Sequence, residues 1–131
     1  MPTTPEWYNL LSLVQGKKFE EAAALLARES SLRSAGNGLG ETVLHYQAVE
    51  NDEEGVSWLL SQGFDINTRN EFGTPVVFEV AQLNYRELLH WFISKGVDLM
   101  CRDEDGNNIK EYVLIYEHED MAKHLESLGV Y

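Results

Sequence analysis

His118, Glu119, Asp120 and His124 are the only stretch of the chain that gathers histidine with carboxylate. Asp120 and His124 stand four residues apart, so on a helix they share one face. Two such groups are half a zinc site, whereas a structural or catalytic zinc takes three or four protein ligands. His118 and Glu119 point elsewhere on the same helix. A metal-dependent hydrolase is therefore the remote alternative for this chain. His45 is the other imidazole of interest, and it has no nucleophile or metal partner close in sequence. No Gly-x-Gly-x-x-Gly, phosphate loop, Cys-x-x-Cys or Gly-x-Ser-x-Gly is present. The single cysteine, Cys101, allows no internal disulfide. The expectation is a non-enzyme with no catalytic residues, no metal and no cofactor.

What organises the chain is a period. Gly40, Gly73 and Gly106 recur every 33 residues, and Gly63, Gly96 and Gly129 keep the same step. So do Trp58 and Trp91, Ala48 and Ala81, Asp65 and Asp98, and Arg69 and Arg102. A fixed period of this length marks a stacked repeat array. Apolar spacing predicts a helix from Glu6, carrying Trp7, Leu10, Leu11 and Val14, after a short tail from Met1 to Pro5 with two prolines. A second helix runs from Phe19 to about Arg28, and its polar face with Lys17, Lys18, Glu20, Glu21 and Arg28 suits a terminal unit. Residues 29–38 read as loop.

Two full copies follow. Gly40 opens a helix to about Glu50, and Asn51-Asp52 cap a second that ends at Gly63, a C′ glycine. Thr74-Pro75 start the next helix, and the one holding Leu88, Leu89, Trp91, Phe92 and Ile93 ends at Gly96. The last copy has Ile109 to about Tyr116 and Glu119 to Leu128. The chain stops two residues after Gly129, which predicts the natural end of an array. Trp58 and Trp91, at the same repeat position inside apolar helices, are read as structural, and truncating Trp91 would cost roughly 3–5 kcal/mol if it is core. The acidic groups Asp52-Glu53-Glu54 and Glu119-Asp120 begin second helices, where a positive helix end favours them.

Three segments carry a family resemblance: Gly40-Glu41-Thr42-Val43-Leu44-His45, Leu59-Leu60-Ser61-Gln62-Gly63 and Asp65-Ile66-Asn67. With Gly73-Thr74-Pro75-Val76-Val77-Phe78 and Phe92-Ile93-Ser94-Lys95-Gly96, they resemble ankyrin repeats over residues 37–129. The resemblance implies an all-α ankyrin-repeat solenoid of about four helix-turn-helix units with short hairpin tips. It is expected as one domain, 1–131, with units at about 6–36, 37–69, 70–102 and 103–131: a degenerate N-terminal cap, two full repeats and a C-terminal cap. His45 matches the family's histidine and is expected to hydrogen bond around the turns. Thr74-Pro75 sits one residue early in the repeat frame. Phe78 and Glu111 replace the histidine in later copies, and Lys110-Glu111 fits a solvated C-terminal cap.

The same resemblance implies protein binding through hairpin tips and the exposed side of the first helices. Carried over, this nominates Leu39 and Glu41 in the first full repeat, Arg69, Glu71, Phe72 and Thr74 at the next tip, and Arg102, Glu104, Asp105 and Asn107 at the last. Tyr46, Gln82, Ile115 and Tyr116 extend the surface. Phe72 stands out, because a large apolar side chain at a turn tip has no evident core to enter and aromatics are enriched at binding hot spots. Arg69 and Arg102 are expected to form a ladder of ion pairs with Glu71, Asp103 and Glu104.

Charge narrows the partner. Net charge is −12, from ten basic and twenty-two acidic residues. Four of each lie in residues 1–39, which leaves six basic and eighteen acidic in the rest. Such a surface repels nucleic acid and anionic lipid and attracts a basic protein. No stretch approaches 18 apolar residues, and residues 1–16 lack the features of a secretory signal. With one cysteine, this points to a reducing, cytoplasmic setting. The expectation is a monomer or weak oligomer whose concave acidic face binds a basic protein. A stoichiometric inhibitor, such as a bacterial immunity protein neutralising a toxin, suits the charge and size. A scaffold or adaptor bridging two proteins is the alternative.

Overall fold

The computed structural model describes residues 4–131, so the first three residues of the expected proline tail lie outside it. Four helix pairs follow one another: α1 (Pro5–Gln15) with α2 (Phe19–Arg28), α3 (Val43–Val49) with α4 (Glu53–Ser61), α5 (Val76–Gln82) with α6 (Arg86–Ser94), and α7 (Ile109–Ile115) with α8 (Glu119–Ser127). Among the described residues no strand forms, and the expected loop after α2 holds a short 3-10 helix, Ser30–Arg33. No described helix is long and apolar enough to cross a membrane.

Each pair turns at one residue in the left-handed region: Lys17, Asn51, Asn84 and Glu117, with φ between 59° and 63°. Asparagine tolerates that region better than most residues, and it occupies the two inner turns. The first helices stack in chain order, α1 on α3, α3 on α5 and α5 on α7, while each second helix packs mainly on its own partner. Buried side chains from all eight helices form one continuous cluster, including Leu10, Leu26, Leu44, Leu59, Phe78, Phe92, Ile109 and Leu125. A single pair with two apolar sides cannot bury both alone, and stacking does it.

The N-terminal pair caps the stack through specific contacts. Trp7 is 1% exposed, and its indole Nε1 donates to the Ala35 carbonyl at 3.1 Å. Lys17, Lys18, Glu20, Glu21 and Arg28 face solvent, as a terminal unit requires. Asp52 fixes the junction with the next pair. It caps α4 by accepting from the Gly55 N–H at 3.1 Å, accepts from Gln47 at 2.7 Å, and pairs with Lys17 at 2.7 Å. Burial raises the Asp52 carboxyl's pKa, but these three partners outweigh it and hold the group below its ordinary value.

Two expectations change. Trp58 and Trp91 are only half-buried, and the core positions are their neighbours Leu59 and Phe92. At 3.6 residues per turn the tryptophans rotate to the flank of the second helices. There Trp58 stacks on Phe19 with ring centroids 5.0 Å apart, and Trp91 meets Phe92 edge-on at 5.1 Å. Pro75 also stands one residue before α5, as its N-cap, in the place Thr42 holds for α3 and Asn108 for α7. Glu111 replaces the histidine of the repeat frame for a local reason. It closes a capping box with Asn108, accepting from the Asn108 N–H at 2.9 Å. That N–H, helped by Arg102, holds the Glu111 carboxyl below its ordinary pKa.

Candidate protein-binding groove

The site is built on three hairpin tips, each anchored by one Asx side chain. Asn37 Oδ1 accepts from the Leu39 and Glu41 N–H groups at 2.9 and 3.0 Å. Asn70 Oδ1 accepts from Phe72 and Thr74 at 3.0 and 3.1 Å, and Asp103 Oδ1 from Asp105 and Asn107 at 3.0 and 2.9 Å. Such local bonds give the backbone an alternative to helix or sheet. The first two tips also join directly, since the Glu71 N–H donates to the Leu39 carbonyl at 2.8 Å. Gly40 makes that approach possible: its φ is +73°, and a Cβ there would lie 2.6 Å from the Glu71 nitrogen.

Stacked in this way, the tips and the first helices enclose a groove of about 510 Å³. Its walls carry four carboxylates, Glu41, Glu79, Asp103 and Asp105, and no lysine or arginine. Between them lie Leu39, Phe72, Tyr112, Ile115 and Tyr116, with Asn70, Thr74 and Asn107 completing the lining. Phe72 is 63% exposed, and Leu39, Ile115 and Tyr116 are exposed with it. Tyr112 packs on Phe78 and Tyr116, with ring centroids 5.4 and 5.2 Å away. Burial, then the bond to Tyr116, pushes the Tyr112 phenol well above its ordinary pKa, so it stays neutral. Acid and exposed aromatic surface thus share one concavity.

Eight of the residues nominated from sequence line this groove: Leu39, Glu41, Phe72, Thr74, Asp105, Asn107, Ile115 and Tyr116. Six stand outside its lining. Tyr46 is half-buried, edge-on to Trp7 at 5.8 Å, and Gln82 is half-buried at the end of α5. Glu71 is exposed, and the Glu104 side chain lies over Gly73. Arg69 and Arg102 are turned into their own tips, donating to the Gly73 and Gly106 carbonyls at 2.9 and 2.7 Å. The expected ladder of ion pairs is replaced by one pair, Arg102 with Glu111 at 3.1 Å. The tip carbonyls point at the guanidinium groups and take their hydrogens first.

Glu79, Tyr112, Asn70 and Asp103 belong to the site and were not nominated. The signal for them was present. Tyr46, Glu79 and Tyr112 are spaced by 33, as are Asn37, Asn70 and Asp103. Carrying Tyr46 along the period leads to the groove wall.

The histidines fall elsewhere than expected. His45 is 0% exposed, and neither ring nitrogen has a hydrogen-bond partner, so it does not bond around the turn. Only its backbone N–H is held, by Thr42 Oγ1 at 3.2 Å. Its Nε2 instead lies 3.3 Å from a Glu79 oxygen and 3.8 Å from one of Glu41. His118, Glu119, Asp120 and His124 do not come together as a three-ligand group among the described residues. His124 leaves them for α6, where its Nε2 stands 2.9 Å from that of His90.

Stacked helix pairs, projecting tips and a lined concave face define a helical-repeat binding scaffold. Residues 44–92 match the family model described as ankyrin repeats (many copies), which supports the ankyrin-repeat reading of the stacked helix pairs. No curated protein matches it. Ankyrin repeats are protein–protein interaction modules and are generally non-catalytic.

Proposed function

We propose that the groove captures a single basic protein through a segment that presents lysine or arginine beside an apolar side chain. The observation that carries this is the coincidence of four carboxylates, no lining cation and an exposed Phe72 in one concavity. Net charge of −12 steers such a partner toward it and repels nucleic acid. Phe72, flanked by Leu39 and Ile115, supplies the apolar anchor of a hot spot, and Asp103 and Asp105 supply the charged rim. One concentrated surface suits a stoichiometric blocker, as a bacterial immunity protein is for its toxin, better than an adaptor with two faces.

The experiment is affinity capture from the source lysate, with light scattering on the purified complex. Wild type retains one dominant basic protein at one-to-one stoichiometry. Phe72→Ala weakens that complex by about 2 kcal/mol, roughly 30-fold in Kd. Asp105→Lys weakens it further at low salt than at high salt. A partner held equally by both variants sinks the groove, and a complex with two different partners at once returns the adaptor.

A further inference from the structure

We propose that Glu41, His45 and Glu79 form a divalent-metal site of the zinc class on the floor of the groove. The observation that points to a ligand is His45 itself. An imidazole this deeply buried, with Nδ1 and Nε2 both unpartnered, is costly and uncommon in a folded protein. It lies against two carboxylates, and one candidate ligand atom from each of the three residues falls within 4.8 Å of the others. Zinc bonds to nitrogen and oxygen of about 2.1 Å place tetrahedral ligand atoms about 3.4 Å apart. The Nε2 to Glu79 and Nε2 to Glu41 separations, 3.3 and 3.8 Å, fit two edges of that polyhedron.

The chemistry of the set agrees. One imidazole and two carboxylates are three zinc-type donors, and the two negative charges balance a dication. Both carboxylates are already held by an amide. Asn37 Nδ2 donates at 3.0 Å to Glu41 Oε1, while Oε2 is the oxygen nearer His45. Asn70 Nδ2 donates at 3.0 Å to Glu79 Oε1, the same oxygen that lies 3.3 Å from His45 Nε2. Outer bonds of this kind hold metal ligands in place. The fourth position is left to water, on the side where Glu79, with a side chain 19% exposed, meets the groove. The set occurs once in the array. At the equivalent positions of the other copies stand Thr74 and Asn107 for Glu41, Phe78 and Glu111 for His45, and Tyr46 and Tyr112 for Glu79. A bound ion clamps α3 to α5 and neutralises the groove floor, leaving Asp103 and Asp105 as its charged end. The site stands on its own geometry and needs no protein partner.

The test uses the full chain, stripped with chelator and titrated with Zn²⁺ alone, then with Co²⁺. Calorimetry is expected to show one ion per chain, Co²⁺ to give the visible absorption of a four-coordinate centre, and Zn²⁺ to raise the thermal midpoint. The ring ¹⁵N signals of His45 shift on Zn²⁺ addition while those of His90 and His124 do not. Glu79→Gln and Glu41→Gln each lower affinity by more than about 100-fold, and Asn70→Ala by about 10–100-fold. His124→Ala leaves binding unchanged. The proposal is overturned if the stripped chain binds no ion and its midpoint does not change on adding Zn²⁺. It is overturned equally if binding survives Glu79→Gln, or is lost with His124→Ala.

Discussion

Replacing Asn70 with alanine tests whether the Asx side chains build the groove. Asn70 makes three bonds: two accepted from the Phe72 and Thr74 N–H groups at 3.0 and 3.1 Å, and one donated to the Glu79 carboxylate at 3.0 Å. Neutral bonds contribute about 0.5–1.5 kcal/mol each, and a bond to a charged group about 1.5–3. Asn70 is half-buried, so water partly replaces what is lost and the lower ends apply. The sum is about 2.5 kcal/mol, or about 10 °C in the thermal midpoint of a chain this size. The repeat supplies two internal controls. Asn37 makes the same three bonds in its own tip and should cost a similar amount. Asp103 makes only the two tip bonds, but accepts both on a charged carboxylate, so by the same lower ends Asp103→Ala should cost about 3 kcal/mol. Urea unfolding in chelator-treated buffer gives the energies, with the denaturant slope unchanged. Hydrogen exchange locates the effect: the Phe72 and Thr74 amides should lose protection in Asn70→Ala alone. A cost below about 0.5 kcal/mol at Asn70 or at Asp103 would refute the anchoring role.

Three further outcomes follow from the packing and the charges. Trp7→Ala should cost about 3–5 kcal/mol, whereas Trp91→Ala should cost less than about 2, because Trp91 is only half-buried; the reverse order in urea unfolding would overturn the assignment of the core. Asp52→Ala should destabilise by about 1–2 kcal/mol through loss of the α4 cap and its Lys17 and Gln47 partners. Since Asp52 titrates below its ordinary value when folded, its contribution is complete above about pH 4 and is lost as pH falls through the folded pKa. Asp52→Asn should flatten stability in that acid range, and an unchanged slope would count against it. Burial, then Arg86 and His90, lower the His124 pKa below its ordinary 6.5, so below that pH the unfolded chain binds more protons than the folded one. Stability should therefore fall as pH drops from 7 through this window, and His124→Gln should remove part of that fall in paired urea curves; identical curves would refute the role of His124.

Much of the architecture was written in the period. The 33-residue step of the glycines placed the helix pairs, because each pair obeys the same local rules wherever it sits. Gly63 and Gly96 end helices at positive φ, and Asp52 caps the helix it was expected to cap. Phe72 was legible for a related reason: a tip has no core to offer, and the side chain remains exposed. The 3-10 helix at Ser30–Arg33 was not legible, since a polar Ser-rich segment carries no apolar period.

The tryptophans show where local pattern ends. An apolar helix face is wider than its buried stripe, and only the neighbouring helix decided that Leu59 and Phe92, not Trp58 and Trp91, reach the core. Arg69 and Arg102 show the same limit, because their partners are carbonyls whose direction depends on the tip conformation. The sequence by itself thus determined the repeat, the helix ends, the acidity and the exposed tip residues, all of which follow from spacing or composition within one unit. Only the tertiary structure brought Glu79 of one repeat against His45 and Glu41 of the one before it, and closed Asp103 and Tyr112 around Phe72. Those meetings depend on how neighbouring units stack, and no single repeat contains the distances that decide them.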